Sequence, residues 1–375
     1  MHTRIITALA TLALAFGGVT NLAQAQDGAQ GFRHQAIAGA VYTATNASGD
    51  NAVLVFDRLG DGRLVPLASV PTGGAGTGTG LGNQGGLVLS KNERWLLVVN
   101  AGSNTVSVFS VRRRGLRLTD VEPSGGLRPV SVTEHRGIVY VLNAGSDTIS
   151  GFRLGRDGRL RRLDGSTRSL SGAGTAPAQV GFAPDGDVLM VTEKATQKIV
   201  TFEVDRHGYA GQAQVQDSNG VTPFGFSFGK RDQVFVSEAF GGAAGASAAS
   251  SYELDDVGLL TTLTASAANT QSAACWLEVT PNGRFAYVTN AGSGSVSGYR
   301  IGFDGELELL DADGRTGITG GAPIDLAITD SGRLLYGLVG GTNTIAVFRV
   351  RSDGSLTPLP FTAGIPAGAN GLAVR

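Results

Sequence analysis

The sequence predicts an all-β chain closed into a seven-bladed β-propeller, with four antiparallel strands in each blade. Three observations lead there: an internal repeat of about 40–50 residues, a two-residue apolar alternation inside each unit, and glycine-rich tight turns between the runs. No stretch beyond the N-terminal segment sustains the 3.6-residue apolar period of a helix.

The repeat shows most clearly as a fixed spacing. Asn100 is followed nine residues later by Phe109, and the same step joins Asn143 to Phe152, Glu193 to Phe202, Asn290 to Tyr299 and Val339 to Phe348. An apolar run of strand character precedes each pair: 95–99, 138–142, 188–192, 285–289 and 334–338. Turns such as Pro184-Asp185-Gly186 and Pro281-Asn282-Gly283 precede those runs. Asp157-Gly158, Asp304-Gly305 and Asp353-Gly354 follow the Phe/Tyr strands, and glycine accepts the positive φ such turns need. Each unit therefore reads strand, tight turn, strand, loop, strand, tight turn, strand.

Units start near Val41, Gln84, Leu127, Ala176, Val221, Ala273 and Ala322, which makes seven. One small four-stranded sheet cannot bury both of its faces, so the units pack side by side, and a closed ring leaves only short, protected edges. The first unit begins at strand 41–45 and lacks an innermost strand. The final run Asn370-Gly371-Leu372-Ala373-Val374-Arg375 resembles an innermost strand such as 129–133. The C-terminus is expected to complete the first blade and lock the ring.

Composition narrows the function classes. The 375 residues include 57 glycines, 42% hydrophobic and 16% charged residues, with a formal net charge of −1. That balance argues against a nucleic-acid partner held by phosphate neutralisation, and it is too apolar for a disordered chain. Residues 1–25 read as a signal peptide: Arg4, then the apolar stretch 5–19, then the small-x-small site Ala23-Gln24-Ala25. The stretch is shorter than the roughly 20 residues that cross a bilayer. A linker over 26–39 and a propeller over 40–375 are expected, in a periplasmic or extracellular protein. The mature chain should carry no integral membrane segment, no cofactor and no metal, and should be a monomer. Cys275 is the lone cysteine, so no internal disulfide forms, and it reads as a small buried hydrophobe.

Antiparallel order assigns the faces. The start of each innermost strand and the end of each second strand share one face, along with the glycine-rich connections 72–86 and 169–176. The blade-five insertion is there too: the step from Glu238 to Tyr252 is fourteen residues where its sisters use nine. Binding residues concentrate on such loops. The ends of the second strands offer Asn46, Asn100, Asn143, Glu193, Glu238, Asn290 and Val339, expected as a ring around the channel mouth. Asparagine there also caps its own turn. Glu193 and Glu238, in adjacent blades, are candidates for acid–base work or for binding a cation, with solvated surface acids as the alternative and Lys194 beside Glu193 as a neutralising partner. The innermost strands add Arg128, Gln179, Phe224, Trp276 and Asp325, a set suited to a small organic or sugar ligand. The histidines (His2, His34, His135, His207) fall in the signal, the linker and the opposite face. They assemble neither a metal site nor a catalytic triad at the mouth.

Tyr287-Val288-Thr289-Asn290-Ala291-Gly292-Ser293 and Tyr140-Val141-Leu142-Asn143-Ala144-Gly145-Ser146 resemble the repeats of the seven-bladed propeller lactonase family, which includes 6-phosphogluconolactonases and 3-carboxymuconate lactonizing enzymes. The chain looks most similar to its secreted bacterial members, through Val191-Thr192-Glu193-Lys194, Thr222-Pro223-Phe224-Gly225-Phe226, Ser237-Glu238-Ala239-Phe240-Gly241-Gly242, Ala274-Cys275-Trp276 and Ala367-Gly368-Ala369-Asn370-Gly371. Catalytic members open one inner strand with Pro-Arg-His and close the next with Glu. Glu193 matches that Glu, whereas the other element reads Pro177-Ala178-Gln179. The resemblance implies a hydrolase or cyclase of a lactone or sugar acid, with Glu193 and Glu238 as its carboxylates. The missing Arg and His imply instead a non-catalytic propeller that binds a small molecule, a glycan or a protein partner.

Overall fold

The computed structural model describes residues 36–375. The segment read as a signal peptide, most of the expected linker, and His2 and His34 lie outside the described residues. From Ile37 onward the chain forms seven sheets arranged as the repeat requires, with one 3-10 turn, Phe240–Gly242, as the lone helical element described. Among the described residues no helix is long and apolar enough to cross a membrane.

Blade one is built from Ile37–Ala44, Ala52–Leu59, Leu64–Pro71 and, innermost, the C-terminal strand Asn370–Val374. The closing register pairs Val41 with Val374, Tyr42 with Ala373 and Thr43 with Leu372, with a bulge before Ala44 meets Asn370. Two backbone bonds between Ala40 and Arg375, of 3.0 and 3.1 Å, extend the pairing, and Arg58 Nε donates to the Arg375 carbonyl at 3.0 Å. The first strand thus starts at Ile37, inside the stretch read as linker. Blades two to seven each follow chain order from axis to rim, beginning at Leu87–Leu89, Pro129–His135, Pro177–Phe182, Pro223–Phe228, Ala274–Val279 and Pro323–Ile328.

The apolar alternation packs the blades against one another. Second strands such as Val188–Glu193 and Phe285–Asn290 are buried along their whole length, while outermost strands such as Leu356–Ala363 alternate with solvent. Polar staples cross the same seams. Tyr140, Tyr287 and Tyr336, each on a second strand, donate to the carbonyls of Gly208, Gly354 and Gly62 in the next blade, at 2.9, 2.7 and 2.9 Å. The last of these bridges blade seven to blade one. Those glycines sit in the turns before the outermost strands with φ near +90°, and a Cβ on Gly354 would lie 2.6 Å from Phe285. The turn dipeptides visible in the sequence therefore serve both turn geometry and blade-to-blade approach.

Candidate functional site

The strand ends fall where the repeat puts them, and alternation decides where their side chains point. Asn100, Asn143, Glu193, Glu238, Asn290 and Val339 are fully buried, and Asn46 nearly so. Asn100, Asn143 and Asn290 face the third strand of their own blade or the blade before, whereas Asn46 donates to the carbonyls of Thr79 (2.7 Å), in the connection leaving blade one, and Gly368 (3.1 Å). Asn100 donates to Ser107 (2.8 Å) and accepts from Asn51 (3.0 Å), Asn290 donates to Ser297 (2.8 Å) and accepts from Asn269 (3.0 Å), and Asn143 donates to the Ser124 carbonyl (3.3 Å).

The two glutamates occupy equivalent places. Glu193 accepts from the Ser171 amide (2.9 Å) and from the hydroxyls of Ser171 and Thr196. Glu238 accepts from the Gly220 amide (2.9 Å), from Ser266 (2.7 Å) and from Ser250. Burial raises the Glu238 carboxyl above its ordinary value, and the three donors offset only part of that. The two carboxylates share no hydrogen-bond partner, and each ties an incoming connection to its own blade.

Lys194 does not neutralise Glu193. The second strand of blade four ends at Glu193, and Lys194 opens the turn that follows, its side chain reaching the mouth. Its Nζ donates to the carbonyls of Gly82 (2.5 Å) and Pro177 (3.2 Å) and lies 4.9 Å from the Phe224 ring centroid. Phe224 packs on Trp276 with centroids 5.0 Å apart. Burial lowers the Lys194 amine to about 8; nearby Cys275 raises it, and Arg128 lowers it further. The same burial lifts the Cys275 thiol to about 12, which keeps it protonated and unreactive. Arg128 is exposed at this rim, on a backbone with φ 52°.

The floor of this mouth is the chain itself. The end of connection 72–86 lies across the axis and bonds to inner strands around the ring. The Asn83 carbonyl accepts from Trp276 Nε1 at 2.6 Å, and its carboxamide binds Asn370 and the Val130 carbonyl. The Gln84 amide donates to the Ala178 carbonyl (3.1 Å), while its side chain takes both backbone groups of Leu277 (2.9 and 3.1 Å) and reaches Glu278 (3.3 Å). The Val132 amide binds the Gly85 carbonyl at 2.9 Å. The sequence placed this loop on the correct face, but nothing in it signalled a plug.

Two further expectations resolve differently from one another. Gln179 stitches blade four to blade five, donating to the Phe226 carbonyl (3.0 Å) and accepting from its amide (2.7 Å). Asp325 is buried on the inner strand of blade seven and accepts from the Leu326 amide (2.8 Å). Its carboxyl is held well above the usual carboxylate range by burial and by the neighbouring Glu278. Glu278, unremarked in the sequence, is raised to about 8 by burial, with Gln84 opposing. These two acids line the channel near the Gln84 side chain. Among the described residues no group of three or more His, Cys, Asp or Glu side chains could hold a metal ion.

A closed ring of seven four-stranded blades with its loops gathered over an axial mouth has the architecture of the lactonase propellers. The sequence points the same way: residues 23–171 match the family described as lactonase, 7-bladed β-propeller. Among solved structures, a candidate 6-phosphogluconolactonase from Bacteroides fragilis is 19% identical with a TM-score of 0.71, covering 90% of this chain and 98% of its own. The periplasmic gluconolactonase of Pseudomonas aeruginosa is 16% identical with a TM-score of 0.70, with the same coverages. At these identities the likeness is one of fold. No curated protein matches the chain in sequence.

Proposed function

We propose that the loop-rich mouth binds a small sugar acid or its lactone, on a protein exported by its N-terminal segment to the periplasm or beyond. Lys194 anchors the ligand's carboxylate or carbonyl oxygen, Arg128 adds a second positive charge, and the buried Phe224–Trp276 pair backs Lys194 from the core side. The carrying observation is the Lys194 ammonium, aimed at the mouth and held by two backbone carbonyls without a carboxylate. The sugar-acid class comes from the names of the structural neighbours.

A hydrolytic reading keeps one supporting observation: an amine near 8 is partly neutral in mildly alkaline solution and can act as a general base. Water would add to the lactone carbonyl while Lys194 takes its proton. The ring C–O bond then breaks, and the departing alkoxide takes that proton back. Calorimetry with an aldonate and NMR of its lactone separate binding from turnover. Lys194→Met should weaken aldonate binding about tenfold or more, the order expected for losing one charge-assisted contact, whereas Glu193→Gln should bind as before. Lactone hydrolysis that survives Lys194→Met but vanishes in folded Glu193→Gln would overturn this reading in favour of carboxylate chemistry.

A further inference from the structure

Charge is distributed unevenly around the ring. Residues 87–169, which make up blades two and three, hold 14 Arg and Lys against seven Asp and Glu, a net of +7 in a chain whose total is −1. The rest of the sequence is therefore −8. On the face opposite the mouth, the turns of these two blades present Lys91, Arg94, Arg112, Arg113, Arg114, Arg136, Arg156 and Arg159, all exposed. Arg117, Arg153, Arg161 and Arg162 continue the patch onto the outer strands and are exposed as well. Of these twelve, only Arg114 makes an ion pair among the described residues, with Asp57 at 3.5 Å. Like charges gathered without counter-ions cost folding free energy through mutual repulsion, and they create a field that attracts a polyanion.

Within the patch, the seam between blades two and three opens a depression of about 330 Å³, lined by Thr119, Asp120, Glu122, Arg159, Leu160 and Arg161. One Asp120 oxygen is spent on the Leu160 amide at 2.8 Å. Burial and the adjacent Asp120 raise the Glu122 carboxyl. Guanidinium and carboxyl groups side by side in one groove match sugar hydroxyls, which both donate and accept. A phosphate backbone would meet the two acids and be repelled. A bilayer would need a flat face with apolar side chains to insert, yet the patch wraps from face to rim. Leu127, the one large exposed hydrophobic residue of these blades, is on the mouth side.

We propose that this sector binds an acidic polysaccharide, its hydroxyls seated in the seam and its carboxylate or sulfate groups on the surrounding arginines. This is a second site, independent of the mouth. The test is retention and titration of the full chain on a polyuronate such as alginate at low ionic strength, with neutral dextran, phosphatidylglycerol vesicles and duplex DNA as the other arms. Binding should be selective for polyuronate and should weaken with added salt. It should fall about tenfold or more in Arg159→Ser/Arg161→Ser and in Arg112→Ser/Arg113→Ser/Arg156→Ser, and be unchanged in Arg333→Ser on blade seven. The proposal fails if the wild type ignores polyuronate, if neither multiple variant differs from it, or if vesicles or DNA bind as tightly as polyuronate.

Discussion

Replacing Glu278 with glutamine is expected to stabilise the protein at alkaline pH and to leave it nearly unchanged at low pH. Glu278 is half-buried on the inner strand of blade six, its carboxyl takes a 3.3 Å hydrogen bond from Gln84, and no cation is paired with it among the described residues. Folding raises it from 4.5 to about 8, so between those values the folded state holds a proton that the unfolded chain has released. Stability is then greatest below about 4.5, falls as pH rises at up to about 1.4 kcal/mol per pH unit, and levels off above about 8. Integrated, the effect is on the order of 3–5 kcal/mol at its upper limit. Asp325, shifted in the same direction, adds to the slope in both proteins. Glutamine keeps the shape and a group that Gln84 can bind, and it does not titrate. Denaturant unfolding at pH 5, 6.5 and 8 should give wild-type and variant curves that diverge as pH rises, with the variant above. Parallel curves, or a variant that is weaker at pH 8, would refute the reasoning and mean that Glu278 is ionised against a bound cation.

Two other changes probe the frame. Glu193→Gln replaces a carboxylate that accepts three hydrogen bonds in a fully buried place; it should cost about 1–3 kcal/mol in denaturant unfolding, and an unchanged midpoint would show that the anchoring role is unimportant. Tyr336→Phe leaves the Gly62 carbonyl without its donor at the seam that closes the ring. A loss of about 1 kcal/mol is expected, against a much larger one on deleting residues 370–375; if the deletion unfolds like wild type, the closing strand does not hold the ring.

Much of the fold was legible because a propeller writes itself into sequence locally. The two-residue alternation sets the strands, turn glycines set their ends, and the repeat sets the number of blades. Even the closing strand could be read from the likeness of 370–375 to an inner strand. The places of the candidate residues along their strands could be read from the sequence, but not the directions of their side chains. Glu193 and Lys194 are neighbours in sequence, yet Glu193 ends the strand and faces into the blade, while Lys194 begins the turn and reaches toward the axis. At the foot of blade four, a bulge between Pro177 and Gln179 shifts the register, and Gln179 becomes an inter-blade staple. The plug left no trace because Gln84 and Leu277 are 193 residues apart and the loop between Gly82 and Gly86 has no period to read. Glu278 was hidden for the opposite reason: it sits within a strand whose neighbours are all core.

A structure of the protein soaked with an aldonate tests the central claim most directly. The ligand's carboxylate should lie within hydrogen-bond distance of Lys194 Nζ, above the Asn83–Trp276 contact, with Glu193 and Glu238 still holding their serines. A ligand lodged against either glutamate, or beneath the plug beside Glu278, would contradict it.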